Sequence, residues 1–215
     1  MPDRIIVHDY SHSSELPRWS EWSARADEDY NCQPAALGLQ CGHAVLYRIA
    51  ARYRLSRSFI GVELQHYSFE TTEGYSGLFH LFLAWSAFEP YYKALGLTAK
   101  TRDTWFAKYA PPDADAHIRA LDPQNCFFNL ILNKVRDDVE EHVAAYVKNQ
   151  PYGLTYLPAA VRHVFAHGIL TPNANKARPT DVAQLTHYLA GMLLDGIASD
   201  FEARVAALRP RDSAV

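Results

Sequence analysis

Apolar side chains recur with a helical period through the last two thirds of this chain and with no clear period at its start. Leu78, Leu81, Phe82, Trp85, Phe88 and Tyr92 fall at i, i+3, i+4, i+7, i+10 and i+14, one stripe of a helix running from about residue 74 to Gly96. Pro90 lies inside that stretch and predicts a kink, because its ring removes a donor and presses on the preceding turn. Residues 103–109 and 113–121 read as short helical pieces around Pro111-Pro112, with Asp113 placed to cap the second. Phe128, Leu132, Val135, Val139, Val143 and Tyr146 share one face of a single predicted helix over 125–149, and Arg136, Asp137, Asp138, Glu140 and Glu141 crowd its other faces. A helix over 158–167 is stopped by Gly168, a polar loop covers 169–179, and Thr180 caps a last long helix ending near Leu208.

The first third is less regular. Residues 34–56 form an alanine-rich helical segment with a proline near its start, interrupted by Gly38 and Gly42. Ile60, Val62 and Leu64 alternate with polar or small residues, which fits either a strand or an extended connector over 58–69. Residues 1–35 show neither period and are expected to form a loosely structured arm. The predicted fold is all-α, an antiparallel helical bundle over 74–209, with an N-terminal extension of mixed helix and irregular structure over 1–73 and a tail at 210–215.

Composition narrows the class. With 215 residues, 48% of them apolar, the chain supports one domain with a large core, which excludes wholesale disorder. The balance of 21 basic against 24 acidic side chains, net −3, confines any nucleic-acid-binding charge to a local surface. Cys32, Cys41 and Cys126 form no CxxC pair and are odd in number, which points to a reducing compartment. No signal peptide and no run of eighteen apolar residues is present, so a cytoplasmic chain without membrane association is expected. Internal repeats, a glycine-rich phosphate loop and a dinucleotide fingerprint are all absent from the sequence.

Local charge is uneven. No Asp or Glu occurs between His142 and Thr180, while Lys148, Arg162, Lys176 and Arg178 do, and this favours an anionic partner. Within it, Leu157 to Gly168 puts Arg162, His163 and His167 on a helix otherwise made of small and apolar groups. A second acid-free stretch carries Arg48, Arg52, Arg54 and Arg57 interleaved with Tyr47 and Tyr53, the combination that single-stranded nucleic acid uses for phosphate neutralisation and base stacking. Its alternative is a solvated helix face.

The segment Arg162-His163-Val164-Phe165-Ala166-His167-Gly168 resembles the signature of the HEPN superfamily: Arg, a polar residue, a few variable positions, then His, frequently followed by Gly. Leu81 to Lys93, with Trp85 and Glu89, resembles the early HEPN helix. The resemblance covers about Gly74 to Arg209. It implies a metal-independent endoribonuclease without cofactor, often a homodimer, of the kind found in defence or toxin–antitoxin systems with a cognate antitoxin or other protein partner. Many members instead bind RNA or protein without turnover. Arg162 would hold the charge that gathers on the phosphoryl oxygens, since its planar fork matches two of them, and His167 would move protons. His163 would orient the substrate or share the proton work, while Lys176, Arg178, Arg52 and Arg54 would grip the RNA. On an ideal helix, residues five apart diverge by about 140°. Either Gly168 therefore breaks the helix early, or the cleft gathers side chains from two chains.

Other readings compete. Arg162 can pair with Glu89 as a structural ion pair, and His163 can be a satisfied core histidine. His163 and His167, at i and i+4, have the spacing of helix-borne zinc ligands, with His80 or His142 to complete a set. Glu63 and His66 have the spacing of di-iron bundles but no second copy, and Cys41 with His43 offers a nucleophile and base or a buried free thiol.

Overall fold

The computed structural model describes residues 14–28, 33–173 and 176–208, in which the chain is all-helical with no strand. Its α-helices in chain order are α1 (Trp19–Glu28), α2 (His43–Arg57), α3 (Phe69–Ala94), α4 (Ala99–Phe106), α5 (Ala114–Leu121), α6 (Cys126–Leu132), α7 (Asp137–Val147), α8 (Tyr156–Ala166) and α9 (Pro179–Ala207). The expected helical bundle is present. Cys32 and the tail at 210–215 lie outside the described residues. Among the described residues no helix is long and apolar enough to cross a membrane.

The two longest helices, α3 and α9, form the central pair. They run parallel, since Ala183 lies against Gly77, His187 against His80 and Asp200 against Tyr91. A Cβ at Gly77 would overlap Thr186 and the Ala183 backbone, so glycine is what lets the helices approach this closely. Helices α2 and α8 flank α3 and run antiparallel to it: Gln40 is joined to Ala94 and Arg52 to Ser86, while Phe165 packs on Phe79. The predicted stripe of α3 faces this core, with Leu78, Leu81, Trp85, Phe88 and Tyr92 buried and Phe82 half-buried. Each such side chain contributes roughly 1.5–3 kcal/mol of burial.

Three local expectations are corrected. Residues 125–149 form two helices, because the chain turns at Asn133–Arg136 and the acids Asp137, Asp138 and Glu140 occupy the first turn of α7, where the helix dipole favours them. Helix α9 starts at Pro179 with Arg178 as its cap, two positions before the predicted cap Thr180, and Asp181 in the first turn accepts from Arg178 Nε and Nη2 at 2.9 and 2.8 Å. Residues 19–28 of the expected loose arm form α1, whose Trp22 is fully buried against the core that also holds Leu16, Leu46, Ile49 and Tyr53. The 58–69 segment is a connector with no strand pairing, and α3 begins at Phe69 behind a Ser68 cap.

One buried carboxylate ties these elements together. Asp200 of α9, 2% exposed, accepts from the Tyr91 hydroxyl of α3 at 2.7 Å. It also accepts from the Trp105 indole of α4 at 3.0 Å, the Tyr109 hydroxyl at 2.7 Å and Arg204 at 2.6 Å. Arg204 reaches on to the Leu37 carbonyl at 2.8 Å and so fastens the 3₁₀ turn Pro34–Leu37 before α2. Burial pushes the Asp200 carboxyl up, but the donors from Arg204, Trp105, Tyr109 and Tyr91 outweigh it and hold the acid below the ordinary carboxylate range. Burial, then the hydrogen bond to Asp200 and its negative charge, push the Tyr109 phenol up to about 12.

Asp200→Asn is expected to cost about 3 kcal/mol in urea unfolding, because it strands Arg204 and weakens three further hydrogen bonds. A native acid held below its unfolded value lends stability above about pH 4 that is lost as pH falls through the lowered native value. Acid-unfolding curves of wild type and Asp200→Asn should therefore converge toward low pH.

Candidate functional site

Helices α2, α3 and α8 meet around an open groove of about 510 Å³ beside the C-terminal half of α3. Phe82, Trp85 and Pro90 of α3 form its apolar floor, and Arg52 of α2, Lys93 of α3 and Arg162 of α8 supply three cations. Among the described residues, Glu89 is the one carboxylate lining it. Its Oε2 accepts from the Trp85 indole at 3.0 Å and its Oε1 from Lys93 at 2.8 Å, partners one turn away on either side of α3. Burial pushes Glu89 up, yet the Lys93 and Trp85 hydrogen bonds, with the nearby charges of Lys93 and Arg162, bring it below its usual value. Arg162, half-buried, forms no ion pair and no hydrogen bond with any described residue. Glu89 feels its charge through space but spends its own hydrogen bonds on Trp85 and Lys93.

Pro90 explains how Arg52 comes to this groove. Helix α3 continues through the proline to Ala94, and the missing N–H at position 90 leaves the Ser86 carbonyl without its helical donor. Arg52 fills the vacancy from α2, its Nη1 donating to Ser86 O at 3.2 Å. The helix is thus completed by a neighbour's guanidinium, whose other N–H groups remain at the groove.

Beneath the floor lies a further guanidinium, one that no sequence pattern singles out. Arg102 of α4 is 4% exposed and sits over the rings of Trp85, Tyr92 and Tyr156 at 5.3, 5.5 and 4.6 Å. Its Nε donates to the Thr155 hydroxyl at 2.8 Å, which in turn donates to Asp103 at 2.5 Å. This cation–π stack backs Trp85 and so holds the indole that orients Glu89.

Helix α8 ends where the glycine predicts. His167 is the cap, Gly168 has φ +69°, its N–H reaches Phe165 O at 2.9 Å and the Ile169 N–H reaches Val164 O at 3.2 Å, a Schellman closure. The helix stays intact through Ala166, so Arg162 and His167 keep their angular divergence. The exposed His163 and His167 rings meet edge-on at 4.6 Å. Neither lines the groove, and neither hydrogen-bonds Arg162. Because α8 runs antiparallel to α3, the imidazole pair lies toward the N-terminal half of α3. Burial, then the positive charges of His167 and Arg162, lower the His163 pKa, so its neutral form prevails at neutral pH.

The remaining basic residues are dispersed. Lys176 and Arg178 border a separate cavity of about 240 Å³ with Asp122, Cys126 and Asp181, and Arg178 is engaged by Asp181. Arg178 feels Glu70, at the opposite end of α3 from Glu89, and 19 residues of helix span roughly 28 Å. Arg54 faces Glu15 at 3.6 Å, and Arg57 pairs with Asp195 and the Tyr53 hydroxyl. The rival metal set does not assemble: His80 contacts His187 at 2.8 Å between α3 and α9, and His142 stacks on Tyr156 and accepts the Gly153 N–H at 2.9 Å. No group of three or more metal-ligating side chains converges among the described residues. Burial raises the Cys41 thiol pKa, which disfavours its thiolate, and His43 packs on Trp22.

Arg52→Ala is expected to cost about 1 kcal/mol through the Ser86 carbonyl. In a Pro90→Ala background, which restores the helical donor, the same change should cost close to nothing; a urea-melt double-mutant cycle measures the difference. Compared with family models, with curated proteins and with solved structures, the chain matches none of them.

Proposed function

We propose that this protein is an RNA-directed, metal-independent endoribonuclease of the HEPN kind, acting on cytoplasmic RNA as a homodimer. The observation that carries the reading is the Arg162 guanidinium, unpaired among the described residues and standing with Arg52 and Lys93 beside an apolar floor, on the helix that also carries the imidazole pair. In the reaction, the 2′-oxygen attacks the adjacent phosphorus, the bond from phosphorus to the 5′-oxygen breaks, and a 2′,3′-cyclic phosphate and a 5′-hydroxyl result. A neutral imidazole takes the 2′-hydroxyl proton, and its protonated neighbour delivers one to the leaving oxygen. The lowered pKa of His163 suits it to the first task, and His167 takes the second. Arg162 holds the charge on the phosphoryl oxygens. Because the helix directs Arg162 and His167 to different sides, the second copy supplies the imidazoles that meet a phosphate held at the first copy's groove.

A second reading, an RNA-binding module without turnover, is favoured by the absence of either imidazole from the groove lining. RNA cleavage in EDTA separates the two. Wild type should yield cyclic-phosphate ends, with Arg162→Ala and His167→Ala each slower by about a hundredfold or more while melting normally. The acidic limb of the rate profile should lie below the ordinary imidazole range and disappear in His163→Ala. Cleavage unchanged in folded Arg162→Ala and His167→Ala refutes the assignment. Salt-dependent RNA binding without cleavage, weakened in Arg162→Ala, selects the second reading.

A further inference from the structure

The groove carries a carboxylate that an anion site alone does not explain. A surface evolved only to hold phosphate would exclude Glu89, yet two hydrogen bonds fix it on the groove wall among three cations. Each of its oxygens takes one donor from the protein, from Lys93 and from Trp85, and each keeps acceptor capacity for a ligand. The group therefore presents a pair of acceptors and no donor. Among the four RNA bases only guanine offers two adjacent donors, N1–H and the 2-amino group, on one edge. Adenine and cytosine set a ring-nitrogen acceptor beside their amino group, and uracil has one N–H between two carbonyls. Phe82 and Pro90 supply an apolar surface for a base, and about 510 Å³ lies within the range of sites that take a single small ligand. Three cations against one carboxylate leave positive charge for a phosphate.

We propose that this groove is a guanine-selective nucleotide subsite, in which Glu89 reads the base and Arg52, Lys93 and Arg162 hold its phosphate; the ligand class rests on the RNA reading above. Lys93 and Trp85 act as positioning residues for Glu89, and Arg102 beneath Trp85 supports them from inside. Selectivity arises because a base lacking either donor leaves a carboxylate oxygen facing an acceptor or nothing.

The test is titration of the full-length protein by calorimetry with GMP, IMP, AMP, CMP and UMP, and with an oligouridine carrying one central guanosine against oligouridine alone. GMP should bind roughly tenfold or more tightly than AMP, CMP or UMP, and IMP, which lacks only the 2-amino donor, should fall between. Glu89→Gln should abolish the preference, while Arg162→Ala should weaken all nucleotides alike and keep it; circular dichroism melts confirm that both variants fold. Preference in the mononucleotide arm identifies a free guanine nucleotide, and preference in the oligonucleotide arm alone identifies a guanosine within a chain; either supports the subsite. Equal affinity for every base in both arms, or a preference that survives in folded Glu89→Gln, overturns it. The outcome is separate from cleavage: guanine preference without turnover removes the nuclease and leaves the subsite, and turnover without base preference does the reverse.

Discussion

Removing a carboxylate from water costs several kcal/mol unless protein donors replace its hydration, and the way Asp200 meets that requirement sets the geometry of the whole bundle. Its donors come from α3, α4 and the loop after α4, and from its own helix. Helices α3 and α9 are therefore held in one register at their C-terminal halves, while Gly77 fixes how closely they approach at the other end. Two such points on a long helix pair leave little freedom to slide. Parallel packing of α3 and α9 follows, and the intervening helices α4 to α8 must carry the chain back.

A rigid α3 is what gives the groove its shape, since five of the side chains that matter there come from this one helix. Trp85, Glu89 and Lys93 are spaced four apart and form a linked row along its surface. The row is anchored from below by Arg102 and from the side by Arg52. Both anchors are cations used in unusual ways, one buried among rings and one donating to a helix carbonyl that a proline has orphaned. The consequence is local positive charge on a chain whose net charge is −3. Structural roles and the proposed ligand binding thus fall on the same residues.

Much of this arrangement was legible in the sequence where period and punctuation agreed. The α3 stripe, the glycine stop of α8 and the all-helical class follow from spacing and from Gly168, whose positive φ few other residues tolerate. Pro90 was legible as an interruption but not as a site of repair, because its remedy comes from Arg52, 38 positions away. The break between α6 and α7 is not legible in the sequence, because an acid-rich run fits both a solvated helix face and a helix first turn; the turn at Asn133–Arg136 decides it. Arg102 and Asp200 gave no periodic signal at all. Their roles depend on rings and hydroxyls brought from distant helices, and no local pattern encodes that.

The same distinction bears on the paired basic and imidazole groups of α8. Spacing in sequence says that Arg162 and His167 are five apart, but an intact helix turns that closeness into opposite outlooks. Arg162 looks across α3 toward the charged row, and the imidazoles look outward beyond the Phe79–Phe165 contact. In the proposed reaction, a phosphate held by Arg162 would therefore meet imidazoles only from another polypeptide, or through a strand that bends around the end of α8. The exposed apolar groups Phe79 and Ile169 beside the imidazole pair make the first geometry physically reasonable, because a partner covering them would bury apolar surface while bringing its own groove toward His163 and His167. In that arrangement the contacts that join two copies and the contacts that complete the chemistry belong to one surface.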